Sequence, residues 1–351
     1  MERKVTAGLW RCALPLAALW IGCSSAQRVA AERTRLQPVK VLVINMFAPE
    51  AKPFLDGLKL TEATRVPGLP ADSAEIHCNA AEVCQITTGM GYANAASSIS
   101  ALVWSNLFDL THAYFIVAGI AGIDPSQGTT GSAAWARYVV DYGLAQEIDA
   151  RDLPPEWSTG YIGINTGKPG EKPKLDYGTE VYQLDEPLVR AVYALSRAVQ
   201  LADSPEAAAY RTKFPLAPAN QPPAVIQCDT ASGDTWWAGT RLGKRAAEWT
   251  RLLTDGKGTY CTSQQEDNAT LTALKRGASA GKLDLRRVAV LRSGSDFDRP
   301  SPGQSEVAGL IDYPAQGGFG PACENLYRAA APVIDAIVHD WASWRSGVPS
   351  P

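Results

Sequence analysis

The stretch AYFIVAGIAGIDP, residues 113–125, is an unbroken apolar run that ends in glycines, then Asp124 and Pro125. It shows no alternation of apolar and polar residues. A strand of that kind is buried on both faces, as central strands of mostly parallel sheets are. KVLVIN (40–45) reads the same way, and APEAKPFLDGL (48–58) follows it as a helix with Pro49 just inside the start. CQITTGMGYANAASSISALVWS (84–105) predicts strand, glycine turn and helix, and GSAAWARYVVDYGL (131–144) predicts a strand pair. Further on, AVIQCDTASGDTWW (224–237) is strand then turn, and GTYCTSQQEDNATLTALKRG (258–277) is strand, turn and helix. RRVAVLRSGSDFD (286–298) supplies the last central strand. Alternating strands and helices imply an α/β fold with a two-sided sheet, whose ligands bind beyond the carboxyl ends of the strands.

Between these elements, residues 151–182 are rich in Pro, Gly and Lys and read as a surface excursion. A helix is expected from about 185 to 202, and FPLAPANQPP (214–223) as an extended connector. A final helix near 320–345 places Leu326, Ala330, Val333, Ile334, Ile337, Val338 and Trp341 on one face, a stripe that suits core packing. No internal repeat is apparent.

The chain has 351 residues, 46% hydrophobic and 20% charged, with a formal net charge of −3. That composition suits one large domain and offers no basic patch for nucleic acid. Arg3 and Lys4 followed by the apolar segment Ala13–Gly22 read as a signal peptide over residues 1–26, too short to span a bilayer. Alternatively Gly22-Cys23 resembles a lipoprotein box. Loss of residues 1–26 removes a net +2 and shifts the charge to about −5. No transmembrane helix is expected in the mature chain, which is expected to be exported, either periplasmic or tethered as a lipoprotein. Export permits disulfides. Of seven cysteines, Cys12 and Cys23 lie in the leader. Cys78 and Cys84 fit across the hairpin EIHCNAAEVCQI, Cys228 and Cys261 sit on strand-like segments that could also pair, and Cys323 is left over. Three scattered histidines support neither a zinc site nor a Ser-His-Asp triad.

Six strand ends carry unusual residues. NMFAPEAKP puts Glu50 in the first turn of a helix, where it is a helix-start acid or something more. TTGMGYANAA offers Gly89 and Gly91, either for a tight turn or for close approach of a ligand to main-chain amides. AGIAGIDP removes side chains at Gly119 and Gly122, for close packing or for a flat ligand. SGDTWWAG places Trp236 and Trp237 together, under a loop or as a stacking surface for an aromatic ring. SQQEDNA and GSDFDRP each put an acid, Glu266 and Asp296, just past a buried strand. Desolvation raises the pKa of such a carboxyl and makes it a proton donor near neutral pH, although Ser295 or Asp296 could instead cap a short helix. Asp298, beside Arg299, reads as a loop or cap residue.

Taken in order, TTGMGYANAA, VAGIAGIDPS, SGDTWW and RSGSDFD resemble the nucleoside phosphorylase and nucleosidase superfamily, and within it the purine nucleoside permease family. The resemblance covers Val39 to the final helix. It implies a single three-layer domain over residues 37–346, with a mixed, largely parallel, barrel-like sheet flanked by helices. It implies a purine nucleoside as ligand and N-glycosidic cleavage, by a nucleosidase or a phosphorylase, as the chemistry. Non-catalytic nucleoside binding in transport is the alternative. By this resemblance Asp296 faces purine N7, Glu266 holds the ribose hydroxyls and Glu50 activates water. Trp236 stacks on the base with Trp237 at its edge, and Ala121 and Gly122 pass along it. SQQE keeps only the last acid of the common Glu-Met-Glu pattern. Ile120 stands where Ser or Thr is common, and no Gly-Asp-Pro-x-x-Arg phosphate loop follows the first strand. Both departures favour water as nucleophile and leave phosphate open as a co-substrate; no cofactor is implied. Relatives of this kind commonly assemble, so a homo-oligomer is a further expectation.

Overall fold

A computed structural model of the chain describes residues 36–349, and the expected leader at residues 1–26 lies outside them. The run quoted above is a ten-residue strand, Tyr114–Ile123, and it is the hinge of the whole sheet. Among the described residues twelve strands form that sheet. In chain order they are β1 Val41–Asn45, β2 Glu62–Arg65, β3 Glu75–Cys78, β4 Val83–Thr87, β5 Tyr114–Ile123 and β6 Ala133–Trp135. The chain continues with β7 Tyr138–Asp141, β8 Val181–Gln183, β9 Val225–Gln227, β10 Asp229–Ser232, β11 Tyr260–Gln264 and β12 Val288–Phe297. The main path runs β8-β7-β10-β11-β5-β1-β4-β3-β2, while β12 lies along the other edge of β5 and leads to β6 and then β9.

The sheet forks at β5. One edge of β5 pairs in parallel with β1 over Tyr114–Val117, then antiparallel with β11 at Gly122 and Ile123. Its other edge pairs in parallel with β12 from Phe115 to Ile123. Between β1 and β11 the first edge has no strand partner. Backbone groups left there must find side chains, because an unpaired buried amide is costly. That gap positions the site described below.

Helices cover both faces. α1 Ala48–Gly57, α3 Glu186–Ser196 and α8 Phe319–His339 pack on one face, against Val41, Val43, Tyr114 and Leu291. α2 Tyr92–Trp104 and α6 Asp267–Ser279 cover the other, against Leu42, Ile44, Phe115 and Val290. Successive residues of β1 thus enter opposite cores, as strand geometry requires. α4 Pro205–Arg211, α5 Thr240–Leu253, the short α7 Glu306–Ile311 and α9 Trp341–Trp344 complete the helices of the described residues.

Some expectations change. β6 and β7 are both strands, but they do not pair with each other: β6 joins β12 and β9, and β7 joins β10 and β8. The two-residue link between them is too short for a parallel crossover and instead hands the chain from one arm of the fork to the other. The expected helix at 185–202 ends at Ser196. The final helix breaks at Asp340, leaving Val338 and Trp341 only partly buried, whereas Leu326, Ala330, Val333, Ile334 and Ile337 are in the core. Cys78 and Cys84 stand opposite each other across the hairpin and are disulfide-bonded, as are Cys228 and Cys261, while Cys323 is free and buried. No helix among the described residues is long and apolar enough to cross a membrane.

Ile334 is 1% exposed in the core between α8 and the sheet. Ile334→Ala is expected to lower unfolding free energy by about 2–5 kcal/mol, read as a shift in urea midpoint. Val307→Ala, on the exposed face of α7, is expected to change it by less than about 0.5 kcal/mol.

Candidate active site

A cavity of about 290 Å³ opens where β1, β5, β11 and β12 end, beside the fork. In the gap on β5, three side chains take over the missing strand partners. Asn45 Nδ2 donates to the Ala118 carbonyl (2.7 Å), the Ile120 amide donates to Glu50 Oε1 (2.7 Å), and Arg292 Nη1 donates to the Ile120 carbonyl (3.0 Å). Glu50, in the first turn of α1, also accepts from the Met46 amide through Oε2 (2.7 Å). It is 1% exposed. Burial drives its pKa from 4.5 to about 7, opposed by Arg292 and by the two amides it binds.

Arg292 is the one cation among the described residues that line the cavity. It points from β12 into the sheet and is held by Asp267 and by Glu266, the latter at 3.2 Å. Burial works against its charge, but Asp267 and Glu266 keep it protonated. A side chain at Gly119 would stand 2.3 Å from Arg292 Nη1, so that glycine makes room for the guanidinium rather than for a ligand. Glu266 and Asp267 begin α6, where the helix dipole favours negative charge, and Gln264 Oε1 accepts both of their amides at 2.8 and 3.0 Å.

Asp296 lies within β12 rather than beyond it. The pairing of β12 with β5 slips between Gly294 and Asp296, leaving Ser295 as a bulge. Strict alternation would send Ser295 and Asp296 to opposite faces, yet the bulge lets both line the cavity. Ser295 Oγ donates to Asp296 Oδ1 (2.6 Å). Burial lifts the Asp296 carboxyl from 3.8 to about 7 against that hydrogen bond, with Asp298 adding to the rise.

The far wall is aromatic. Trp237 is 9% exposed, whereas Trp236 is half exposed and lies against Tyr313 with ring centroids 4.8 Å apart. Ala121 and Gly122 form the floor. Gly91 contributes no lining surface: its amide donates to Glu266 Oε1 (3.0 Å), and its φ of +85° suits glycine. The neighbouring Tyr92 amide donates to Asp234 Oδ1 (2.7 Å). The Gly91 and Tyr92 amides at the start of α2 are therefore already matched to carboxylates of this chain. Glu50, Glu266, Asp296, Trp236, Trp237, Ala121 and Gly122 are brought to one cavity, and Gly91 stands behind Glu266.

Sequence reasoning passed over Arg292, Asp267, Tyr313 and Phe319. Arg292 had a visible signal, a charged residue inside the apolar run that leads to Asp296, and buried arginine demands partners. Asp298 lies in a bend just past β12, as expected of a loop residue, but it is 0% exposed and ion-paired with Arg299. A larger surface hollow of about 580 Å³, between α5 and residues 158–172, contains none of these strand ends.

A family model described as purine nucleoside permease matches residues 38–349. A relative named probable purine nucleoside permease, from Schizosaccharomyces pombe, is 42% identical over 317 residues, covering 87% of this chain and 90% of that protein. The purine nucleoside permease of Candida albicans is 38% identical over 307 residues, covering 86% and 75%. Among solved structures, the 5′-methylthioadenosine/S-adenosylhomocysteine nucleosidase of Neisseria meningitidis superposes with a TM-score of 0.50 at 14% identity, covering 86% of this chain and all of that one. The futalosine hydrolase of Helicobacter pylori gives 0.50 at 13%, covering 85% and 98%. These two likenesses establish a shared fold.

The raised carboxyl of Asp296 has a consequence for stability. Its proton is bound more tightly in the folded chain, so its contribution is complete below pH 3.8 and is lost as pH rises through about 7. Asp296→Asn carries no such charge. The variant is expected to melt several degrees above wild type at pH 8.5 and by a clearly smaller margin at pH 5. Equal melting differences at both pH values would show that Asp296 is ionised throughout.

Proposed function

The chain belongs to the purine nucleoside permease family, and we propose that it binds a purine nucleoside in this cleft and hydrolyses the N-glycosidic bond. The observation that carries the reading is the convergence of Glu50, Glu266 and Asp296 on one desolvated cavity with a tryptophan wall. Breaking C1′–N9 sends the bonding pair to the base and leaves the ribosyl group cationic. In this reading Asp296 gives its proton to N7 as the base departs. Glu266, fixed by Arg292 and the Gly91 amide, binds the ribose hydroxyls and faces the cationic sugar. Glu50 removes a proton from water as its oxygen bonds to C1′, and the products are ribose and free purine. Proton transfer of this kind contributes about 10²–10⁴-fold.

Charge supports water over phosphate as the nucleophile. Three carboxylates line the cleft, and its one cation is committed to Glu266 and Asp267. Two amides at the start of α2, those of Gly91 and Tyr92, serve Glu266 and Asp234. An entering phosphate would meet like charge, with the one lining cation already paired. We further place the protein outside the cytosol, a reading that the two disulfides support. The relatives' names favour a second reading, nucleoside binding in uptake without cleavage.

Incubation with inosine, guanosine or adenosine is expected to release free base and ribose at equal rates with and without phosphate. Ribose 1-phosphate as product would overturn hydrolysis, and tight binding by calorimetry without release would establish the second reading. The pH dependence is expected to be a bell. Activity needs Glu50 ionised and Asp296 protonated, so kcat/KM falls on both sides of about 7. Asp296→Asn is expected to lose the alkaline limb along with most of the rate.

A further inference from the structure

Behind the tryptophan wall lies a second buried charge cluster that the proposed chemistry leaves unused. Asp298 Oδ2 accepts from the Tyr260 hydroxyl (2.8 Å) and from Arg299 Nη2 (3.0 Å), and Oδ1 accepts from Arg299 Nε (2.7 Å). Arg299 also pairs with Asp124 at 2.7 Å. We propose that Asp298 is a positioning residue which, through Tyr260 and its own carbonyl, sets the Trp236–Trp237 loop as the base-binding wall.

Three contacts support this. The Asp298 carbonyl accepts from the Gly239 amide (2.7 Å), which ties down the end of the tryptophan loop where α5 begins. The Asp298 amide donates to the Ile123 carbonyl (2.9 Å), anchoring the same residue to the end of β5. Tyr260, whose hydroxyl Asp298 orients, lies behind Trp237 with ring centroids 6.3 Å apart. Tyr142 supports Trp237 from another side at 5.4 Å. α5 adds a further constraint, since a side chain on Gly243 would stand 2.6 Å from Arg299 Nη2 and 2.9 Å from Asp298 Oδ2. The helix that follows the tryptophan loop therefore rests directly on the ion pair.

A buried ion pair contributes little net stability relative to well-packed apolar groups, so geometry is the stronger reason for one here. Asp298 reaches the floor as well as the wall: its Cα lies 3.7 Å from where a Gly122 side chain would begin. One carboxylate thus links the strand under the base to the ring beside it. Trp236 has no such backing and rests on Tyr313 alone among the aromatic residues. Trp237 is the fixed wall and Trp236 the adjustable one.

This inference rests on the nucleoside-binding reading, and the test separates the two. Tyr260→Phe keeps the ring and removes the hydroxyl; Asp298→Asn keeps the shape and weakens the pairing. Adenosine, inosine and guanosine serve as probes, titrated by tryptophan fluorescence, with near-UV circular dichroism of the free protein and Trp237→Phe to identify the band. Both variants are expected to change the Trp237 band and raise Kd, and KM where turnover occurs, about tenfold, the loss of one misplaced aromatic contact. The kcat of Tyr260→Phe is expected to stay within about threefold, since the acids are untouched, whereas Asp298→Asn also removes a charge that raises the Asp296 carboxyl. Should Asp298→Asn fail to fold, Tyr260→Phe decides alone. A folded Tyr260→Phe protein with an unchanged Trp237 band and unchanged Kd overturns the proposal. Wild type that binds no nucleoside overturns the functional reading instead, and the dichroism band then decides the positioning role by itself.

Discussion

The peptide at Ile120 is the constraint on which the site depends. β5 serves two partners along one edge, and between them the Ile120 amide and carbonyl have no strand to pair with. Glu50 takes the amide and Arg292 takes the carbonyl. Two oppositely charged side chains are thereby held a peptide's width apart in a dry place. Each has further partners, Arg292 in Asp267 and Glu266 and Glu50 in the Met46 amide, because an isolated buried charge is too costly. The fork in the sheet is thus the reason that charge can exist at the bottom of the cavity. It also changes what Ile120 means, since its backbone is the group in use and its aliphatic side chain forgoes nothing at that contact.

Desolvation then distributes the roles. The pKa values of Glu50 and Asp296 are raised by burial first, and charges and hydrogen bonds only moderate the effect. Glu266 is paired with Arg292 and accepts from the Gly91 amide. Two carboxyls poised near neutrality and one held in an ion pair make an uneven set, the arrangement that acid–base division of labour requires. The cost falls on stability above neutral pH, where both poised groups must ionise without water.

Much of the fold was legible because strand burial leaves a local trace. The apolar runs at 41–45, 114–123 and 288–291 needed only their neighbours to be read, and the α8 stripe needed only its helical period. The strand ends could be located for the same reason. What could not be read was anything decided by register. Local sequence does not say that β6 and β7 belong to different arms of the fork, nor that Ser295 is a bulge that turns Asp296 inward. Gly91 and Gly119 were legible as glycines but not by purpose, since the space they leave is filled by Asp234, Arg292 and Met46 from distant segments. Arg292 was legible in principle, as a charge inside a buried run.

Asp296 and Asp298 show how far two residues of one type can diverge over a separation of two. Both are buried and both are pushed upward by desolvation, Asp298 to about 6. Their partners separate them. Asp298 meets a guanidinium and a phenol that satisfy its oxygens and commit it to one geometry. Asp296 meets a single serine hydroxyl and lines an open cavity, so a lone pair or a proton is left for whatever enters. Asp298 is a committed carboxylate, whereas Asp296 is left free for the proton transfer proposed above. The bulge at Ser295, which breaks the alternation between them and the rest of β12, allows one strand end to carry both.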